Sequence, residues 1–135
     1  MPKPNEICIV AAILRNGTGQ CMLARKRPGL ANEGLFEFPG GKVESGEEKH
    51  LALQRELAEE LDLTVRVPEA AVLSYVHTLN NNTSLRFDVF EIQLDETREL
   101  QSTDHDLLLW CPIGELHNHA ITQADLPIVR YLQQQ

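Results

Sequence analysis

The sequence is poor in cysteine, in positive charge and in long apolar runs, and each shortage closes off a class of function. Three cysteines, none in CxxC spacing, are too few and too scattered for a disulfide scaffold or a zinc ribbon. Cys8, Cys21 and Cys111 each stand in or beside an apolar run and read as buried free thiols. Twelve basic residues against twenty acidic ones leave a net charge of −8. That charge repels a DNA or RNA backbone and removes the counterion-release surface that polymer binding relies on. No stretch approaches the roughly 18 apolar residues needed to span a bilayer, and Met1 to Glu6 shows no apolar targeting segment. The expectation is a cytoplasmic protein, monomeric or homodimeric, with neither a nucleic-acid polymer nor a membrane as partner.

What remains is an ordinary globular composition, 42% hydrophobic and 24% charged over 135 residues, enough for one domain over 1–135 with its own core. Ile7 to Leu14 and Gln20 to Ala24 are apolar runs around Asn16-Gly17 and predict a hairpin. Phe36-Glu37-Phe38 predicts a short strand feeding a tight turn at Pro39-Gly40-Gly41. Glu47 to Leu61 contains no Gly or Pro, is rich in Leu, Ala, Glu and Gln, and predicts the main helix, with Ser45 placed to cap it. Strands are expected over Val65–His77, Ser84–Leu94 and Leu107–Cys111, with a turn at Asn80-Asn81-Asn82. A C-terminal helix is expected over Asp125–Gln135, with Pro127 in its first turn. Strands mixed with helices in this way make an α/β class protein.

On the main helix Glu56, Glu59 and Glu60 stand at i, i+3 and i+4, on one arc about 100° wide. Leu51, Leu53, Leu57, Ala58 and Leu61 fall elsewhere and are the expected packing face. A plain solvated acidic face would pair such glutamates with Lys or Arg three or four residues later, and none follows these three. Three like charges toward a helix C-terminus also oppose the macrodipole. A bound cation relieves both conflicts, and oxygen-only ligands select Mg²⁺ or Mn²⁺. His117 and His119 form an HxH pair, but no third ligand stands nearby, so a zinc site is not expected.

The segment Gly41, five residues, Glu47, seven residues, Arg55-Glu56-Leu57, one residue, Glu59-Glu60, one residue, Asp62-Leu63 resembles the Nudix box. Asp62 departs from it, standing where that family usually has a left-handed Gly; Asp tolerates such a backbone at a cost of roughly 1 kcal/mol. Upstream, Phe36-Glu37-Phe38-Pro39-Gly40-Gly41-Lys42 is similar to the approach to the box in MutT-like nucleoside triphosphate pyrophosphohydrolases. The spacings of Asp104 before Trp110 and of Ala124-Asp125 before Pro127 are similar too.

The resemblance implies an α/β/α sandwich with a central mixed sheet and the box as a loop-helix-loop. It implies a Mg²⁺-dependent hydrolase that cleaves a small nucleotide, a (d)NTP giving NMP and pyrophosphate. The metal ligands it implies are the Gly40 carbonyl and the carboxylates of Glu56, Glu59 and Glu60, with Glu47 at the helix start or as an outer ligand. Arg55 would orient the carboxylates, Glu56 would serve as general base, and Glu60 and Asp104 stand behind it as alternatives. Arg27, with Arg25 and Lys26 less favoured, and Lys42 would meet substrate, and Phe38 and Asp125 would line the base pocket. An ionised Asp125 can only accept hydrogen bonds, so it favours bases that present donors, with cytidine and 8-oxo-guanine triphosphates leading. Its alternative role is to cap the last helix. Other readings of the same resemblance are an ADP-sugar or dinucleoside polyphosphate hydrolase and a binding module without catalysis. RNA decapping is disfavoured by the charge.

Overall fold

The computed structural model describes residues 5–95 and 100–135. Its first strand, β1 (Glu6–Arg15), carries the run Val10–Leu14, every residue of which is buried. Such a strand must be covered on both faces. Val10, Ala12 and Leu14 point to one side, where they meet Leu53, Leu57 and Leu61 of helix α1 (Lys49–Leu61). Ala11 and Ile13 point to the other, where they meet Ile128 and Leu132 of helix α2 (Leu126–Gln133). Period-2 alternation in one strand thus sets the three layers of an α/β/α sandwich. Each fully buried leucine at these seams contributes on the order of 1.5–3 kcal/mol.

The sheet is mixed. β1 pairs in parallel with β6 (Thr83–Gln93), which pairs antiparallel with the edge strand β5 (Leu73–Asn80). On its other side β1 touches β2 (Cys21–Lys26) only at the hairpin end, Arg15 opposite Cys21. Beyond that point the two strands part, and the chain from Phe36 to Lys42 fills the gap. β3 (Phe36–Glu37) pairs with β2, and β4 (Gly40–Lys42) pairs with β1. Pro39, which lacks an N–H to donate, crosses between them, its carbonyl accepting from the Ala12 N–H at 2.8 Å. Pro39-Gly40-Gly41 is therefore a crossover inside the sheet, not the expected tight turn. The seventh strand, β7 (His105–Cys111), lies antiparallel along the outer edge of β2.

Several boundaries differ from the sequence reading for local reasons. The helix α1 starts at Lys49 behind Glu48, with no side-chain cap. Ser45 lies in a loop closed by the Glu44 carbonyl accepting from Glu47 N–H and by the Glu47 carboxylate accepting from Glu44 N–H. Leu51, 44% exposed, and Ala58 lie outside the core, and Ala52 takes a buried place instead. Residues 65–72 form no strand; the Val67 N–H goes to the Gln54 side chain and Pro68 has none to give. Asp125 closes a 3-10 turn (Gln123–Asp125), and α2 ends at Gln133, two residues short of the expectation. Cys21 and Cys111 are buried and opposite each other, whereas Cys8 is half-buried. Asp62 does adopt the left-handed conformation, at φ 52° and ψ 38°, and its N–H closes the helix on the Leu57 carbonyl.

Candidate functional site

Two of the three box glutamates face the sheet. Glu56 lies against the crossover so closely that a Cβ built on Gly41 would run into its carboxyl group, as one on Gly40 would run into the Val10 carbonyl. At Gly40 the obstacle is backbone, so only glycine lets the crossover lie this close against β1. Glu60, one turn later, has its side chain 11% exposed, and its Oε1 is buried without a hydrogen-bond partner. Burial first, and then the charges of Glu37 and Glu56, push its carboxyl up to about 8. Glu56 is raised too, chiefly by burial, against the pull of Arg55.

Glu59 keeps a 61% exposed side chain on the outer flank. There Arg55 gathers the set. Its Nε donates to Glu47 at 2.8 Å, one Nη donates to Glu56 at 3.0 Å and Glu59 at 3.2 Å, and the other donates to the Lys42 carbonyl at 3.0 Å. These hydrogen bonds, Glu47 foremost, hold the guanidinium firmly protonated, and they hold the Glu47 carboxyl below its ordinary value.

Two residues that sequence reasoning passed over complete the cluster. Glu37 stands between the buried rings Phe36 and Phe38, so alternation turns it to the opposite, α1, face. His105 arrives by a slip in register. Arg25 is opposite Leu107 but Lys26 is opposite His105, so Asp106 is one residue extra and bulges outward onto Arg25 at 2.8 Å. The bulge re-aims His105 inward, with its side chain 0% exposed. Glu37, Glu60 and His105 then present ligand-type atoms within 4.8 Å of one another. The alternation was a legible signal for Glu37; nothing in the sequence marked the bulge.

Beside this cluster, a cleft of about 250 Å³ runs from Lys26, Glu37, Gly40 and Gly41 to Phe38 and Asp125. Asp125 is 6% exposed, and its Oδ2 accepts the Phe38 N–H at 2.8 Å. It makes no side-chain cap to α2, so the capping role does not hold. Burial raises its carboxyl to about 7. The flanking wall is built by Phe87, stacked on Tyr75 at 4.8 Å, whose hydroxyl donates to the Ala124 carbonyl. Two expected substrate residues lie elsewhere. Arg27 is exposed and donates to the Thr103 carbonyl. Lys42 is exposed in a separate depression with Ile7 and Cys8. Lys26, 3.6 Å from Glu37, is the cation that lines the cleft among the described residues. Asp104 is half-buried and near enough to Glu60 to raise its carboxyl further. His119 packs edge-on against Phe36 and joins no ligand cluster among the described residues.

Residues 8–132 match the NUDIX domain family. The chain belongs to the Nudix family. Curated relatives include the CTP pyrophosphohydrolase of Escherichia coli K12, 34% identical over 124 residues, covering 90% of this chain and 87% of that one. A putative 8-oxo-dGTP diphosphatase 2 of Mycobacterium tuberculosis is 39% identical over 124 residues, covering 90% and 83%. Among solved structures, the E. coli ORF135 protein superposes with a TM-score of 0.81 at 29% identity, covering 97% of this chain and 91% of that one. A MutT protein from Methanosarcina mazei superposes with a TM-score of 0.83 at 20% identity, covering 99% and 97%, and so shows the Nudix fold. Nudix membership makes the chain a hydrolase of that family, and no helix among its described residues is long and apolar enough to cross a membrane.

Proposed function

We propose that this Nudix hydrolase is a Mg²⁺-dependent nucleoside triphosphate pyrophosphohydrolase of the MutT-like kind, acting on CTP, dCTP or 8-oxo-dGTP to give NMP and pyrophosphate. The observation that carries the metal reading is the buried, partnerless Oε1 of Glu60 beside Glu56 and Glu37. Buried carboxyl oxygens without donors are costly, and an all-oxygen group suits a hard cation. The Gly40 carbonyl and the Glu56, Glu59 and Glu60 carboxylates would hold it. Mg²⁺ or Mn²⁺ bound there supplies neutralisation of the diphosphate charge and a lowered pKa for the attacking water.

The chain's own residues divide the rest of the work. Arg55 fixes Glu47, Glu56 and Glu59 by charge-assisted hydrogen bonds, so the carboxylates need no reorganisation when substrate arrives. Glu56 takes the proton of the attacking water, since it stays linked to Arg55 and is the less enclosed of the two sheet-facing glutamates. Lys26 meets the phosphates from the cleft wall. Phe38 packs beside the base, and Asp125 reads its edge with the lone pairs that the Phe38 N–H leaves over. The relatives' substrates support cytidine and 8-oxo-guanine nucleotides for this cleft, and the protein would act on them in the cytoplasm as a monomer or homodimer.

The test is a panel of CTP, dCTP, 8-oxo-dGTP, dGTP, dTTP and ADP-ribose hydrolysed with Mg²⁺ and resolved by product. NMP and pyrophosphate from a cytidine or 8-oxo-guanine triphosphate is the expected outcome. Orthophosphate release, or a clear preference for ADP-ribose, would overturn it.

A further inference from the structure

His105 belongs to none of the box positions, yet it is the most enclosed polar side chain of the cluster. It hangs from β7 by the bulge at Asp106 and touches three elements at once. Its Nε2 lies 2.9 Å from the Glu37 carboxylate, and a carboxylate can only accept, so Nε2 carries the hydrogen. Its Nδ1 lies 2.8 Å from the Ser102 hydroxyl and 3.5 Å from Glu60 Oε1. Nδ1 is thus engaged with Ser102 at the closer distance, and Glu60 Oε1 stays buried without a hydrogen-bond partner among the described residues.

We infer that His105 is a positioning residue for metal binding: held by Ser102 and Glu37, it walls Glu60 in without pairing with it, and keeps that carboxylate aimed at the cation. This rests on the metal reading given above. A side chain that donated to Glu60 would satisfy the oxygen and compete with the ion. A smaller one would let Glu60 swing toward Lys26 or solvent. Partners that orient ligands in this way are worth roughly ten- to a hundredfold in metal affinity.

The experiment measures Mn²⁺ binding to the whole metal-free protein by the loss of its free-ion EPR signal, with the Mg²⁺ dependence of kcat beside it. The wild type is compared with His105→Leu, which removes both ring nitrogens, and His105→Gln, whose amide can still donate to Glu37. The expected result is Mn²⁺ affinity lower by roughly ten- to a hundredfold in His105→Leu. The half-saturating Mg²⁺ concentration rises by the same factor, and the nucleotide KM at saturating Mg²⁺ stays close to wild type. His105→Gln recovers most of the affinity. His105→Leu that binds Mn²⁺ as tightly as wild type overturns the inference. So does His105→Gln that is no better than His105→Leu, whether folded or not, because packing alone would then account for the residue. Wild-type protein that binds no Mn²⁺ overturns the metal reading itself, and is seen before either variant is compared.

Discussion

The two buried carboxyl groups of this protein, Glu60 on the α1 side and Asp125 on the α2 side, make an instructive pair. Both are raised by burial, Glu60 to about 8 and Asp125 to about 7. Asp125 has its donor, the Phe38 N–H at 2.8 Å, and sits among apolar walls. Glu60 has an oxygen with no donor and faces Glu37, Glu56 and Asp104. Burial alone therefore says little about role. What separates a residue that awaits a cation from one suited to reading a neutral group is whether its own surroundings already satisfy it.

The sharpest way to break the comparison is to neutralise each member. Glu60→Gln and Glu56→Gln are each expected to lose about a hundredfold or more in kcat, because each removes charge where the transition state needs it. Near-normal rates in both would contradict the metal site, as would full turnover in EDTA. Asp125→Asn and Asp125→Ala, by contrast, should leave metal dependence intact and change kcat/KM unequally across dCTP, 8-oxo-dGTP, dGTP and dTTP. Steady-state kinetics giving one common factor for all four would show that Asp125 reads no base.

A third contrast concerns pH. Both groups have folded-state pKa values above those of the unfolded chain, so the folded protein holds more protons between them. Their stabilising contribution is full below about pH 4 and is lost as pH rises toward 7 and 8. The melting temperature of the metal-free protein should fall over that window, and Asp125→Asn, which keeps an acceptor for the Phe38 N–H, should flatten part of the fall. A melting temperature that rises from pH 5 to pH 8 in EDTA would contradict both shifts.

The sequence made one side of this comparison far more legible than the other. The spacing of Glu56, Glu59 and Glu60 on a Gly-free and Pro-free segment pointed to the acidic helix and to its family, because helical period converts directly into a face. Of the three, Glu59 stands on the solvent side beside Arg55, since an arc of about 100° is wide enough for one member to do so. Glu37 and His105 were missed for different reasons. Glu37 sat inside a motif noticed for its glycines, and His105 depends on a bulge, a long-range event that no local pattern encodes. Arg27 and Lys42 lie outside the cleft lining; the direction of Arg27 is set by its hydrogen bond to the Thr103 carbonyl and not by its charge.

The smallest expected effect lies at the helix end, away from both carboxyls. Asp62→Gly should be neutral or stabilising by about 1 kcal/mol, since Gly adopts the observed left-handed conformation at no steric cost. A clear drop in melting temperature would reveal a side-chain role for Asp62.

The contrast between a satisfied and an unsatisfied carboxyl is tested most directly by counting protons when the metal binds. Calorimetric titration of the metal-free protein with Mg²⁺ at pH 7, in two buffers of different ionisation enthalpy, should show net proton release, because Glu60 must give up its proton to the incoming ion. The release should be much smaller in Glu60→Gln and unchanged by Asp62→Gly. Mg²⁺ binding without proton release, or release undiminished in Glu60→Gln, would contradict the account.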